Sequence, residues 1–228
     1  MTRMTINWRS IGGLLCAMAL LAGCETSGQR AQSKKATKAV TSMEKTRAEL
    51  VKADQQVDEA VVALDRLTSS PTVVPEAFKV YKVQVTEVSK QEREAQKRAD
   101  RMRADWRAYI TAWETEVDTV STPELQARAE ERRQAVRENY DRLRDAANAV
   151  HSAYQPFLTQ LQDVQKTLAL DLTPAGLEAA KPAIDSAHQS AQNLKQQIGA
   201  FVSEIDRVAA ATTARTPVAA ATPAPSGE

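Results

Sequence analysis

Cysteine, glycine and histidine are all scarce: 228 residues contain two, seven and two of them respectively. Each scarcity removes a class of chemistry. Both cysteines, Cys16 and Cys24, lie near the start, so nothing later supplies a disulfide, a thiolate metal site or a thiol nucleophile. Two histidines without a Gly-x-Ser-x-Gly elbow do not make a nucleophilic triad, and there is no glycine-rich phosphate loop. The only sustained apolar run spans Ile11 to Ala22, too short for a spanning helix, and none follows it. Neither sign of charge dominates, with 30 Lys and Arg against 29 Asp and Glu. A chain so balanced does not attract a nucleic-acid backbone, and no nucleic-acid partner is expected. No alternating strand pattern occurs anywhere.

What fills the chain instead is Ala, Glu, Gln, Lys and Arg from about residue 33 to 210, a helix-forming composition. Met43, Leu50, Val57 and Leu64 recur at heptad spacing, with Thr46, Ala53, Ala60 and Leu67 interleaved as the d positions of a helix over about 33–68. Ser69, Ser70, Pro71 and Pro75 end it. A second helix, about 75–120, carries Phe78, Val85, Ala99, Trp106, Trp113 and Val120 at a, and Tyr81, Val88, Ala95, Met102 and Tyr109 at d. Glu92 and Glu116 are its polar exceptions. Ser121-Thr122-Pro123-Glu124 offers a capping serine and a proline suited to a first turn, opening a third helix over about 123–170. Its stripe begins at Leu125 and Ala129 and runs through Val136, Tyr140, Leu143 and Phe157 to Leu168. Pro156 lies inside it and predicts a kink or a split near Tyr154. The fourth helix, about 174–210, has Leu177, Ile184, Ala191, Ile198 and Ile205 at a, with Ala180, Ala187, Leu194, Phe201 and Val208 at d. Pro182 predicts a delayed start there. From residue 211 to 228 the chain is rich in Ala, Thr and Pro and buries too little to fold.

Helices with one narrow apolar stripe are not stable alone, and short connections make them run up and down. The expected fold is therefore all-α, an elongated antiparallel four-helix bundle with coiled-coil heptad packing. At 1.5 Å per residue it is a rod of roughly 60 to 70 Å.

Three places carry residues suited to chemistry. Asp185-x-x-His188 is the nearest approach to the Glu-x-x-His motif of helical di-metal sites, and His151 has only Asn148 at the equivalent offset. Both histidines fall beside the seam, so no metal or other cofactor is expected. Lys90 to Arg107 holds seven basic against four acidic residues, interleaved as on a solvated face laced with i,i+4 pairs, although an excess of cations also suits an anionic partner. Met102, Trp106, Tyr109, Trp113 and Tyr140 should gather into one aromatic layer, either core packing or the wall of a small apolar ligand pocket.

Leu21-Ala22-Gly23-Cys24, following Arg3, Arg9 and the short apolar run, resembles the lipobox of a bacterial lipoprotein signal. That resemblance implies removal of residues 1–23, lipidation of Cys24 and a linker over 24–32. Each buried acyl methylene contributes about 0.8 kcal/mol, so several chains hold a protein at a membrane. Glu25 in place of aspartate implies the periplasmic face of the outer membrane. With Cys24 in the bilayer, the far end of the rod would carry Val73, Val74 and Leu172 as a contact surface for an envelope protein.

Trp113-Glu114-x-Glu116, Arg133 with Tyr140 and Leu143, Tyr154-Gln155-Pro156-Phe157-Leu158 with Leu161 and Asp163, and the restart at Thr173 resemble an uncharacterised domain-of-unknown-function family of helical bacterial envelope proteins. The resemblance implies the helical fold and carries no activity. Where that family has Lys, His and Asn before the fourth helix, this chain has Ala169, Leu170 and Asp171, so a polar site there does not carry over. The expected role is a non-enzymatic, lipid-anchored scaffold, spacer or docking protein. Its alternative is a carrier of an apolar ligand within the bundle. Heptad seams also serve self-association, so a homo-oligomer is a further expectation.

Overall fold

The computed structural model describes residues 27–69, 74–117 and 121–213. Cys24 and the segment before it, Pro71, Val73, Val120 and the Pro-rich tail lie outside the described residues. Four helices account for nearly all of the described chain: α1 Ser27–Ser69, α2 Val74–Val117, α3 Pro123–Leu170 and α4 Pro174–Thr213. Their 40 to 48 residues correspond to lengths of about 60 to 72 Å.

Consecutive helices pack against each other, and α1 also packs against α4, which closes a four-membered ring. Paired side chains show that adjacent helices are antiparallel. Along α1 and α4, Arg47 meets Asp206, Asp58 meets Lys195 and Asp65 meets His188, so one number rises as the other falls. The α1/α2 seam pairs Lys38 with Asp105, Glu49 with Gln91 and Gln56 with Gln84. Across α2/α3, Tyr81 meets Leu161, Glu92 meets His151 and Glu114 meets Arg137. Asn139 with Arg207, and Arg142 with Glu204, set α3 against α4. One end of the ring therefore holds Ser27, Val117, Pro123 and Thr213, and the other holds Ser69, Val74, Leu170 and Pro174.

Heptad spacing selects the buried face. All eight a and d residues of α1, from Met43 to Leu67, are at most 2% exposed, Thr46 included. The same holds for Phe157, Leu161, Val164 and Leu168 of α3 and for Leu194, Phe201, Ile205 and Val208 of α4. Thr46 is tolerated because its hydroxyl donates to Ser42 O at 2.8 Å, within its own helix. No helix among the described residues is long and apolar enough to cross a membrane.

Four local expectations need correction. Of the kink or split expected at Pro156, the split does not occur: α3 is continuous through it, because Pro156 and Ser152, the residue whose carbonyl loses its donor, both lie on the exposed face, where solvent can satisfy that carbonyl. α4 starts at Pro174 and passes Pro182 without delay; Pro182 and Glu178 are likewise exposed. The cap of α3 is Thr122 rather than Ser121, with Pro123 at the first helical position and Gln126 N–H donating to Thr122 O at 2.9 Å. Leu125, expected on the buried stripe, is 56% exposed. Arg207 of α4 is level with Asn139 of α3, and α4 stops at Thr213, less than two turns later, so the first turns of α3 extend beyond it.

Candidate functional site

Helices of this kind place function at a tip, in an internal layer or along a groove between neighbours. At the tip opposite Ser27, Val74 is 2% exposed. Its expected role as a contact residue is thereby corrected: it opens α2 as part of the buried surface, and Val73 lies outside the described residues. Leu172 is 39% exposed and Leu170, which sequence reasoning passed over, is 90% exposed. The backbone between them is fixed by Asp171, whose N–H donates to Thr167 O at 3.2 Å and whose Oδ1 accepts the Thr173 N–H at 2.9 Å. Those two bonds end α3 and start α4, and the hydrogen bond from Thr173 holds the Asp171 carboxyl below its usual range. Leu170, the last residue of α3, stands two positions after buried Leu168 and so points away from the seam. The signal available for it was an apolar residue two positions past Leu168, the end of the heptad stripe.

The residues expected in an aromatic layer lie in or against the core. Met102 and Trp106 are 1% exposed and Tyr109 is 5% exposed, with Trp106 edge-on to Tyr109 at 5.7 Å between centroids. Trp113 and Tyr140 are half-buried against the same core. Arg132 sits over the Trp113 ring at 4.8 Å and Arg107 reaches the Tyr140 hydroxyl at 3.5 Å. These rings fill the layer with their own side chains, and cations cover its edge.

A second internal layer was only half legible. Glu92, the polar exception at an a position, lies among Ala95, Ala99 and Ala147, and these small residues leave a cavity of about 20 Å³ bordered by His151 and Tyr154. That is room for one water molecule. Glu92 Oε1 is 3.4 Å from His151 Nδ1. Tyr154 is 2% exposed, and its hydroxyl has no protein hydrogen-bond partner among the described residues. Burial, then the negative field of Glu92, Asp54 and Glu49, pushes that phenol well above its ordinary range. Tyr81, fully buried, contrasts with it, because its hydroxyl donates to Leu161 O at 2.7 Å. Glu49, absent from the sequence-level candidates, is also buried and accepts from Gln91 Nε2 at 2.8 Å.

The two histidines do not converge. His151 faces Glu92 on α2, whereas His188 Nε2 lies 3.1 Å from Asp65 on α1. Asp185 brings no second ligand to His188, and among the described residues no three His, Cys, Asp or Glu side chains gather as a metal-binding group. Each imidazole instead adds a contact across a seam. Cys24 lies outside the described residues.

Among comparisons with known proteins, the family model described as "Protein of unknown function (DUF2959)" matches residues 26–215. No curated protein and no solved structure matches the chain.

Proposed function

The chain belongs to the DUF2959 family of proteins of unknown function, and from that premise we propose that it is a non-enzymatic, lipid-anchored rod of the cell envelope. In this reading Cys24 holds it at the periplasmic face of the outer membrane, and it serves as a spacer or docking protein for an envelope partner. One observation carries the proposal: the a and d positions of all four helices are buried over most of their length. A seam so filled commits these helices to rigidity and reach, the properties a spacer needs. The start of α1 would stand nearest the bilayer, leaving the α3/α4 turn at the far end. Leu170 and Leu172 are the large apolar side chains exposed there among the described residues, and Leu170 takes the place of buried Val74 in the surface offered to a partner.

Two measurements test it. Replacing Cys24 by Ser should release the protein from the membrane fraction of lysed cells; retention would sink the anchoring step. A photo-crosslinking residue at position 170 or 172 should give a discrete adduct in intact cells, while one at exposed Val83 on the rod's side should not. Leu170→Asp with Leu172→Asp should abolish the adduct formed from position 177 while leaving helicity intact. Adducts of equal yield at the tip and at Val83 would remove docking at the tip from the proposal.

A further inference from the structure

The excess of cations between Lys90 and Arg107 acquires a different meaning once α1 is laid against α2. Lys38 and Lys45 of α1 and Arg98 and Arg101 of α2 border one groove of about 140 Å³, with Thr41 and Ser42 between them. Four cations from two helices thus converge where the lining contains a single acid, Asp105. Asp105 is already engaged by Lys38 at 3.0 Å. Arg98 approaches Glu49 only to 4.0 Å, and that carboxylate is shared with Lys52 and Gln91. Lys45 and Arg101 have no carboxylate within ion-pair distance among the described residues. Several cations elsewhere on the rod meet acids one turn away, as in Lys90 with Glu87, Lys97 with Glu94 and Lys166 with Asp163. Arg98 and Arg101 act on Glu94 only through their fields, and Glu94 is bonded to Lys97; what sets the groove apart is that its cations come from both sides of one seam.

We infer that this groove binds a phosphate-bearing anion. Two guanidinium forks match the oxygen geometry of a phosphate, and two ammonium groups add charge without directional demand. The Ser42 hydroxyl is spent on Ala39 O at 2.7 Å, which leaves Thr41 as the neutral donor. A single carboxylate is satisfied by one arginine; four converging cations suit a group carrying two or more negative charges. Such a group is found on free phosphorylated compounds and, singly or in arrays, on phospholipid headgroups. The site is independent of the tip and of any protein docked there.

The test uses the full chain in neutral detergent micelles, followed by the Arg98 Nε–H signal in NMR. Inorganic pyrophosphate is titrated in one arm, and phosphatidylglycerol is added to the micelles in the other. A saturable shift is expected in at least one arm, weakened at high ionic strength, and Lys45→Gln with Arg101→Gln should weaken it at least tenfold. Lys79→Gln with Lys166→Gln, which removes the same charge elsewhere, should leave it unchanged. A response to pyrophosphate alone assigns a free phosphorylated compound, and a response to phosphatidylglycerol alone assigns a headgroup. No saturable shift in either arm overturns the inference, as does equal weakening by both pairs of substitutions. Lys45 and Arg101 are exposed, so neither change threatens the fold.

Discussion

Removing one oxygen atom from either of two buried tyrosines should shift stability in opposite directions. Tyr81 is fully buried and its hydroxyl donates to the fully buried Leu161 carbonyl at 2.7 Å, joining α2 to α3. Tyr81→Phe deletes a neutral hydrogen bond with a net contribution of about 1 kcal/mol. Leu161 O keeps its helical N–H donor from the next turn, so the cost should not exceed about 1.5 kcal/mol. Tyr154 is buried as deeply, but its hydroxyl has no protein partner among the described residues. Tyr154→Phe removes a desolvated, unpaired polar group and should leave stability unchanged or raise it by about 1 kcal/mol. Urea unfolding followed by far-UV circular dichroism reads the difference as a shift in midpoint at constant slope, with the two variants about 2 kcal/mol apart. Equal losses in both would refute the reasoning. That result would mean that the 20 Å³ cavity beside Tyr154 holds a water that completes its hydrogen bonding. Alkaline unfolding supplies an independent readout of the same burial. Both phenols are raised by burial, so their contribution is intact below the unfolded value of about 10 and is lost as pH rises toward the folded values. Stability should fall above about pH 10 by about 1.4 kcal/mol per unit for each tyrosine, and each Phe variant should lower the slope by about that amount.

Two glycines of α4 give a second pair of opposites. Gly199 is exposed in mid-helix, and a Cβ there meets nothing within 4 Å, so Gly199→Ala should stabilise by about 0.5 to 1 kcal/mol in urea unfolding. At Gly176 a Cβ would run into the Asp171 carbonyl, and Gly176→Ala should destabilise despite the same gain in helix propensity. Trp106→Ala, at a 1% exposed position, should cost about 3 to 5 kcal/mol, and half-buried Trp113→Ala distinctly less; equal costs would show that the layer is not packed as described.

The heptads made the fold legible, because a stripe of Met43, Leu50, Val57 and Leu64 has only one stable use, against other stripes. Periodicity also contained the answer for Pro156 and Pro182: their offsets from Phe157 and Ile184 put both rings on the solvent side, where a helix survives them. Leu125 misled for the opposite reason. A stripe names a face but does not say whether a partner reaches that far, and α4 ends too early to cover it. Val74 is buried and Leu170 exposed because each follows the face of its own helix at a terminus, and a turn's composition does not show where those helices begin and end. The convergence of Lys45 with Arg101 required the register of α1 against α2, information that no single segment contains. Cys24 is legible only by resemblance.

The ring order places the start of α1 and the end of α4 at one end of the rod, joined along their length by Arg47 with Asp206, Asp58 with Lys195 and Asp65 with His188. A tension applied between those two ends would open these contacts in turn, peeling one helix from the next at low force. Tension applied between the start of α1 and the α3/α4 turn would load every layer together, in shear. The same bundle is therefore soft to a pull between its chain ends and stiff to one along its axis.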